Sequence, residues 1–277
     1  MRLASFTGVD GGTHVGRIDD KVIFLLAAPT MLDWLAGKGH EETGKTYAAG
    51  DLELLAPVPE PPSIRDFFAY EDHVATGWRL RGGEIPEAWY AAPSFYFANP
   101  ASVHGPGDPV RRPEATRMLD FELEIAAVIG LDNEIAGFTL LNDWSARDIQ
   151  RSEMTVGLGP AKGKDFAISL GPWLVTPEEL PYEQGRLRLT ATASVNGVEL
   201  TRSDAAEMHF SWPELVAHAA RDTRLRPGDI LGSGTLNRGC LLELGPLDDE
   251  QGERFLEPGD LIEISAEGLG VLQTEIV

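Results

Sequence analysis

The chain has 277 residues, of which 43% are hydrophobic, and its formal net charge is -21 at pH 7. The hydrophobic content suffices for a globular core, while the negative charge argues against nucleic acid or a membrane surface as a partner but permits an anionic substrate where cations gather locally. No apolar run approaches the roughly 20 residues of a membrane span, the N-terminus lacks an apolar signal segment, and the single cysteine, Cys240, indicates a reducing compartment, so we expect a soluble cytoplasmic protein.

The first 61 residues predict a small α+β segment. The stretch "THVGRIDDKVIFL" is typical of a β-hairpin, and "PTMLDWLAGKG" predicts a helix with Thr30 as its N-cap, Asp33 at the third helical position and an end near Gly37. The proline-rich "PVPEPPS" then indicates an extended connector. We therefore predict a small N-terminal domain over residues 1–61 and a second domain over residues 62–277.

Beyond the connector the pattern is mostly that of strands. "RLRLTATASVNGVEL" alternates apolar and polar residues and then reaches an Asn196-Gly197 hairpin turn. Two helices are predicted from capping-box spacing, one with Ser145 and Asp148 in "SARDIQRSEM", the other with Ser211 and Glu214 in "SWPELVAHAARD". Without the strand-helix alternation of a parallel doubly wound sheet, the sequence predicts a β-rich mixed α/β fold.

Two glutamates lie one residue apart in "LDFELEIAAVIG". The apolar residues that alternate from Leu119 to Ile125 predict one strand, whose other face carries Glu122 and Glu124 at a separation of roughly 7 Å. Unpaired carboxylates in a low-dielectric site require a shared proton, basic partners or a hard divalent cation. The alternative is an ordinary amphipathic strand whose acidic face is solvated.

Further candidates occur in two other stretches. Asp143 ends the apolar run of "TLLNDWSARDIQ" just before a predicted helix, where it could complete a metal site or only favour the helix dipole. In "IRDFFAYEDHVATG", Asp66 precedes His73 by seven residues within an aromatic-rich stretch. A lone histidine is usually structural, and His73 is distinguished among the six histidines only by this context.

Several segments together resemble the fumarylacetoacetate hydrolase family, in that family's order, from about residue 62 to the C-terminus. They are "RDFFAYEDH", "YFANPASVHGPGDPVRRP", "LDFELEIAAVIG", "LNDWSARDIQ", "LGPAKGKDFAISLGPWLV" and "SGTLNRGCLLEL". The resemblance implies that family's β-roll or barrel catalytic domain, a homodimer, and an all-oxygen site for Mg²⁺, or for Ca²⁺ or Mn²⁺. Its ligands would be Asp66, Glu122, Glu124 and Asp143.

The resemblance also implies a reaction. The family's chemistry is hydrolytic cleavage of a carbon–carbon bond in a 1,3-dicarbonyl acid, with a metal that stabilises the departing enolate. His73 would activate water, Glu243 would orient His73, and Lys164 would stabilise the oxyanion. The substrate contacts would be Arg81, Tyr96, Gln150 and Thr235. Most of these residues also have a plain structural interpretation. Tyr96 could be a core aromatic, Gln150 a helix surface residue and Thr235 a turn residue. Lys164 and Arg81 could form exposed salt bridges, and Glu243 could be an ordinary strand acid.

The chain also differs from fumarylacetoacetate hydrolase itself. Its N-terminal part is much shorter, and Met154 stands where we expect a substrate-contacting tyrosine. The leading hypothesis is a hydrolase of a fumarylacetoacetate- or acylpyruvate-like acid in catabolism. A metal-dependent decarboxylase or isomerase of a 2-oxo acid is the alternative, followed by a catalytically silent keto-acid-binding protein. Residues 76–90, "TGWRLRGGEIPEAWY", suit either a closing loop or a static surface loop.

Overall fold

The structure is a computed structural model that describes residues 1–249 and 252–277. Helices are few and short across these residues. They are α1 (Met31–Leu35), α2 (Glu71–Leu80), α3 (Glu87–Ala91), α4 (Arg147–Met154), α5 (Trp212–Ala220) and α6 (Leu241–Leu244). Across the part of the chain that is described, no helix has the length and apolar character needed to cross a membrane.

Strands dominate the fold, as the sequence predicted. In chain order they are β1 (Arg2–Thr7), β2 (Thr13–Asp19), β3 (Val22–Leu26), β4 (Glu42–Ala48), β5 (Glu53–Leu54), β6 (Ile64–Phe67), β7 (Phe95–Ala98), β8 (Val103–His104), β9 (Leu119–Asp120), β10 (Leu123–Ile129), β11 (Ile135–Asn142), β12 (Ser145–Ala146), β13 (Ile168–Val175), β14 (Tyr182–Glu183), β15 (Arg186–Leu187), β16 (Thr190–Val195), β17 (Val198–Asp204), β18 (Ile230–Gly232), β19 (Leu247–Asp249), β20 (Gly252–Arg254), β21 (Leu261–Ala266) and β22 (Gly270–Glu275). The β-rich mixed α/β class is confirmed.

One large sheet runs through both halves of the chain. Its strand order is β4-β3-β2-β1-β13-β11-β10-β18-β6-β7, with β5 added beside β1 and β8 beside β13. The N-terminal strands join the rest where β1 pairs antiparallel with β13, Leu3 opposite Leu174. The N-terminal segment therefore shares a sheet with the remainder of the protein, and the division after residue 61 stays a prediction.

A second sheet covers one face of the first. It has the order β17-β16-β21-β22, and its residues Ala193 and Ile264 belong to the same apolar cluster as Leu123 and Ile125 of β10. The opposite face of β10 joins another cluster, in which Ala126 packs with N-terminal residues. Since apolar layers bury both faces of β10, any polar side chain on this strand is withdrawn from water.

Several local predictions are confirmed. β2 and β3 form the predicted hairpin. The side chain of Thr30 accepts the backbone N–H of Asp33 at the start of α1, and α5 begins with the predicted capping box of Ser211 and Glu214. The Asn196-Gly197 turn joins β16 to β17, with φ of 52° and 79°, as a two-residue hairpin turn requires.

Other local predictions are wrong, the first of them because tertiary partners intervene. The capping box at Ser145 and Asp148 does not form: Ser145 pairs with Asp120 between the short strands β12 and β9, while Asp148 accepts from Thr116 and the backbone of Arg117. The stretch from residue 119 is interrupted at 121–122, between β9 and β10. Residues 76–90 are mostly helical, in the end of α2 and in α3, rather than one loop.

Candidate active site

The paired glutamates lie inside the protein. Glu122 is 4% exposed and Glu124 is 0% exposed, so the alternative of a solvated acidic face is wrong. Glu124 is on β10, between the two apolar layers, whereas Glu122 lies in the irregular residues just before this strand. Both carboxylates therefore need compensating charge or protons from the protein or from a ligand.

Three carboxylates meet at this point, and we call them the acidic cluster: Asp66, Glu124 and Asp143. Asp66 comes from β6, Glu124 from β10, and Asp143 follows the last residue of β11. One oxygen from each lies within 4.8 Å of the oxygens of the other two. Strands distant in sequence thus bring together three of the four metal ligands that the resemblance implied.

A glycine makes the approach of two of these carboxylates feasible. Gly232 is on β18, which lies between β6 and β10 in the sheet, and it pairs with Asp66. A Cβ atom at Gly232 would lie 2.3 Å from Asp66 Oδ1 and 3.2 Å from Glu124 Oε2. Any larger residue would occupy the space between the two acids.

The acidic cluster is electrostatically unsatisfied by the protein alone. Burial, reinforced by Asp143, raises the pKa of Asp66 well above its ordinary value, and burial together with Asp66 does the same to the pKa of Glu124. Within the described residues, Glu124 Oε2 and Asp143 Oδ1 are buried without a hydrogen-bond partner. Such an all-oxygen donor set with free lone pairs fits a hard divalent cation.

Glu122 is held differently from the acidic cluster. Its Oε2 accepts from Lys164 Nζ, and its Oε1 lies 2.8 Å from Arg147 Nη1. Burial opposes ionisation of Glu122, but Arg147 and Lys164 outweigh it and hold the pKa of this carboxyl below its ordinary value. Glu122 is thus an ionised carboxylate between two cations.

Lys164 and Tyr96 both reach the acidic cluster. Lys164 Nζ donates to Asp143 Oδ2 over 2.5 Å, and the Tyr96 hydroxyl donates to the same oxygen over 2.7 Å. Thr235 donates its hydroxyl to Glu124 Oε1 over 3.3 Å. Burial lowers the pKa of Lys164, but the carboxylates of Asp143 and Glu122 more than reverse this, so the pKa is raised and the ammonium stays charged.

Arg147 is a site residue that the sequence reasoning missed. It is the first residue of α4 and 4% exposed, and besides Glu122 it binds Asp120, with 2.8 Å from Nε to Oδ2. Its Nη1 also lies 3.3 Å from Gln150 Oε1, one turn along the helix. The i, i+3 spacing of Arg147 and Gln150 in "SARDIQ" was a readable signal for a shared helix face.

His73 and Glu243 form the second group of the site, which we call the dyad. His73 Nδ1 lies 2.8 Å from Glu243 Oε2. His73 is on α2 and Glu243 on α6, so the interpretation of Glu243 as a strand acid is wrong. Glu243 also accepts the backbone N–H groups of Arg238 and Gly239, each over 3.1 Å, which fixes its carboxylate.

Asp120 connects the dyad to Glu122, which lies beside the acidic cluster. Its carboxylate accepts the backbone N–H of Leu241 over 2.8 Å and of Leu242 over 3.0 Å, at the start of α6. The same carboxylate accepts from Arg147, which binds Glu122. Asp120 thus links α6, the helix that carries Glu243, to Arg147, whose guanidinium group neutralises Glu122.

Both groups face one cavity of about 230 Å³. Every candidate for catalysis or substrate contact lines it, together with Met154 and two of the candidate metal ligands. These are His73, Lys164 and Glu243; Arg81, Tyr96, Gln150 and Thr235; and Asp66 and Glu122. The roles that the resemblance implied for these residues stay predictions, but the structure brings their side chains to one place.

The comparison with protein families matches nearly the whole chain. Residues 63–277 match the family described as "Fumarylacetoacetate (FAA) hydrolase C-terminal", and residues 1–57 match "Rv2993c-like, N-terminal". The match to the first family covers all the residues of the acidic cluster, the dyad and the cavity that they line.

Similar proteins carry different activities in their names. The fumarylacetoacetase of Oryza sativa subsp. japonica is 31% identical over 78% of this chain and 66% of its own length, so the chain spans slightly less than two thirds of that relative. Oxaloacetate tautomerase YisK of Bacillus subtilis (strain 168) is 31% identical over 91% of this chain and 82% of its own. The structure of 5-carboxymethyl-2-hydroxymuconate delta-isomerase from Mycobacterium smegmatis has 27% identity and a TM-score of 0.75, covering 100% of this chain and 99% of that one.

Proposed function

The chain belongs to the fumarylacetoacetate hydrolase family, as its sequence predicted, and from this premise we propose that it is a divalent-metal-dependent hydrolase that cleaves a carbon–carbon bond in a 1,3-diketo acid. The observation that carries the proposal is the 2.8 Å contact of His73 with Glu243 on the cavity that also reaches the acidic cluster. A base beside a metal-type carboxylate site is what hydrolysis of such an acid requires.

Asp66, Glu124 and Asp143 would hold the cation, with Glu122 beside them. When bound, a divalent cation such as Mg²⁺ supplies the charge that stabilises an enolate leaving group. The unpartnered oxygens of Glu124 and Asp143 support this assignment. Mg²⁺, Ca²⁺ and Mn²⁺ all suit oxygen ligands, and Mg²⁺ is our proposal for the protein in the cell.

The dyad would activate water. With the Nδ1 proton donated to Glu243, the lone pair of His73 is on Nε2, where it can accept a proton from a water molecule in the cavity. The hydroxide equivalent adds to the carbonyl carbon of the substrate, the carbon–carbon bond breaks, and the imidazolium returns its proton to the departing enolate carbon. Glu243 holds the ring and stabilises its charged form.

The other polar residues would orient the substrate. Lys164 lines the cavity while its ammonium is charged, so it can stabilise the oxyanion that forms when water adds. Arg81 and Gln150 also line the cavity and can bind a carboxylate or carbonyl oxygen of the acid. Met154 adds an apolar side chain to the lining of the cavity, which favours a substrate with an apolar acyl group.

A tautomerase or isomerase is the second candidate function. It is supported by the similarity to the Bacillus subtilis tautomerase, which spans 82% of that protein, against 66% for the rice fumarylacetoacetase. A tautomerase moves a proton between carbon and oxygen of a 2-oxo acid, and an isomerase moves one between two carbon atoms; both need a base but no attacking water. A 2-oxo acid decarboxylase would use the metal but not the dyad. A silent keto-acid-binding protein would bind its ligand without turnover and would not need a base.

A spectroscopic assay separates these functions. Metal-stripped protein is incubated with a short acylpyruvate, and the enol absorbance is followed before and after Mg²⁺ is added. Hydrolysis predicts loss of the band only after Mg²⁺, with stoichiometric release of pyruvate. The same protein with oxaloacetate would show faster enol–keto equilibration without pyruvate if it is a tautomerase, and pyruvate formation if it is a decarboxylase. Binding of either acid without any turnover would favour the catalytically silent keto-acid-binding protein.

The family membership also supports a homodimer and a cytoplasmic location as proposals. Light scattering of the purified protein gives the mass in solution. A value near the 30.1 kDa of one chain would contradict the dimer.

A further inference from the structure

Together with Cys240, the dyad forms a second group of possible metal ligands, which differs in chemistry from the acidic cluster. One ligand atom each of His73, Cys240 and Glu243 lies within 4.8 Å of the other two. The Cys240 thiol is 3.5 Å from Glu243 Oε2, the same oxygen that lies 2.8 Å from His73 Nδ1. Nitrogen, sulfur and oxygen thus converge on one point, whereas the acidic cluster offers oxygen only.

We propose that His73, Cys240 and Glu243 form an inhibitory site for zinc, separate from the all-oxygen site that the enzyme needs for activity. Zinc binds thiolate, imidazole and carboxylate ligands in tetrahedral geometry, whereas Mg²⁺ selects oxygen and rejects sulfur. As an account of inhibition, this inference rests on the proposed hydrolytic function; as an account of metal binding, it does not.

The geometry needs only a small adjustment. Tetrahedral ligands around zinc, at bond lengths of about 2.0–2.3 Å, are roughly 3.5 Å apart. Because the ligand atoms lie within 4.8 Å of one another, the thiol and the ring nitrogen must approach each other by at most about 1.3 Å. His73 and Glu243 line the cavity, which offers the metal an entry and a water for the fourth position. Cys240 directly precedes the four-residue helix α6.

Metal binding would abolish the base by a change of tautomer. In the proposed mechanism the proton is on Nδ1, which faces Glu243, and the reactive lone pair is on Nε2. A metal on Nδ1 requires the proton on Nε2, so the nitrogen that faces the substrate can no longer accept one. One proton, that of the Cys240 thiol, leaves to solvent for each zinc bound, and the proton on Nδ1 moves to Nε2 through the cavity water.

The surroundings select a strongly thiophilic metal. Cys240 is completely buried, and burial raises the pKa of its thiol well above the ordinary value, with the Asp120 carboxylate acting in the same direction. A metal must therefore bind sulfur strongly enough to displace this proton. Zn²⁺ and Cd²⁺ meet that requirement, and Mg²⁺ does not.

The single cysteine gives the binding test an unambiguous reporter. Cd²⁺ is titrated into metal-stripped protein in the presence of excess Mg²⁺, and the ultraviolet thiolate-to-cadmium charge-transfer band is recorded. We expect the band to saturate at one Cd²⁺ per chain and Mg²⁺ not to reduce it. Because the chain has only one cysteine, the band reports Cys240 alone. Absence of the band in folded wild-type protein would overturn the proposal whether or not the protein is a hydrolase.

Two variants test the ligand set. His73→Gln should weaken Cd²⁺ binding at least tenfold while the thiolate band is retained at higher Cd²⁺. An unchanged affinity would remove His73 from the site. His14→Gln is the matched control, since His14 is in the N-terminal hairpin and contacts Asp10, and it should bind Cd²⁺ as the wild type does.

Zinc inhibition is then measured at saturating Mg²⁺ with a substrate that the wild type consumes. Zn²⁺ should inhibit without competition from Mg²⁺. Cys240→Ser and Cys240→Ala, each compared with its own zinc-free rate, should raise the zinc concentration for half inhibition at least tenfold. Equal sensitivity of a folded variant, or relief by Mg²⁺, would overturn the inhibitory role. If no substrate is consumed, the cadmium titration still decides whether the site exists, and only the proposed function fails.

Discussion

The acidic cluster and the dyad open onto the same cavity, but the protein holds them in different ways. Asp66, Glu124 and Asp143 come from the interior strands of a large sheet, and oxygens of two of them have no partner among the described residues. Glu243 is on a four-residue helix, and backbone N–H groups, His73 and Cys240 all bind its carboxylate. The protein completes the dyad by itself, whereas it leaves oxygens of the acidic cluster for the proposed cation to complete.

The largest test of this comparison removes the base. His73→Ala should lower hydrolytic kcat by about 10²–10⁴-fold, because it deletes the group that we propose as the acceptor of the water proton. Mg²⁺ should still raise the thermal midpoint of the variant, since the acidic cluster is intact. His14→Ala serves as the control. Hydrolysis at a wild-type rate in His73→Ala would contradict the assignment of the base.

Next in size is a change that disturbs the acidic cluster alone. Gly232→Ala places a methyl group 2.3 Å from Asp66 Oδ1, so the carboxylate must move. We expect Mg²⁺ affinity to fall about 10–100-fold, which is the usual effect of changing a residue that orients metal ligands. Isothermal titration measures it. Gly50→Ala is the matched control, because Gly50 has open space around it and needs no positive φ. An unchanged Mg²⁺ affinity would show that the cation does not sit between these acids.

A third change tests the link between the dyad and Glu122. Asp120→Asn removes the charge that binds Arg147 and weakens the hold on the start of α6. The loss of a charged hydrogen bond corresponds to about 1.5 kcal/mol, or roughly tenfold in kcat. The pH dependence of kcat should shift as well, because Glu243 moves with α6, and a purely structural defect would leave this profile in place. Asp148→Asn is the control, since its carboxylate binds Thr116 and Arg117 instead.

The smallest expected effect concerns stability. The pKa of Asp66 and of Glu124 is raised in the folded, metal-free protein, so the folded state binds more protons than the unfolded chain. Their contribution to the free energy of unfolding is therefore fully present below the unfolded values near pH 4 and falls as the pH rises towards the folded values. Glu124→Gln should stabilise metal-free protein at pH 8 by about 1 kcal/mol and lose the stabilisation by Mg²⁺. Urea unfolding, with the exposed Glu275→Gln as control, measures both; a destabilised Glu124→Gln would contradict the raised pKa.

Local signals in the sequence predicted elements whose stabilising contacts are local. Thr30 caps α1 through its own helix, and Asn196-Gly197 turns between adjacent strands. Ser145 and Asp148 have the same spacing as Ser211 and Glu214, yet only the second pair forms a capping box. The difference lies in contacts with residues far along the chain, since Ser145 pairs with Asp120 of β9, and Asp148 accepts a hydrogen bond from Thr116. Residue spacing alone does not contain this information.

The candidate site was predicted where its residue types were unusual in their surroundings. Glu122 and Glu124 stood out in an apolar stretch, and the order of motifs pointed to Asp66, His73 and Lys164. Arg147 was not predicted, because an arginine at a helix start is ordinary in sequence. Its importance comes from Asp120, which lies on β9 and contacts it only in the folded chain.

The pairing of β1 with β13 bears on how such proteins can be divided. Leu3 and Trp34 of the N-terminal segment belong to the same apolar cluster as Leu141 and Leu174. A fragment that starts at residue 62 would bare this apolar surface together with part of the edge of β13, a combination that promotes aggregation through strand addition. An exchange of the N-terminal segment between relatives would succeed only if the new segment supplied both a matching edge strand and a matching apolar face.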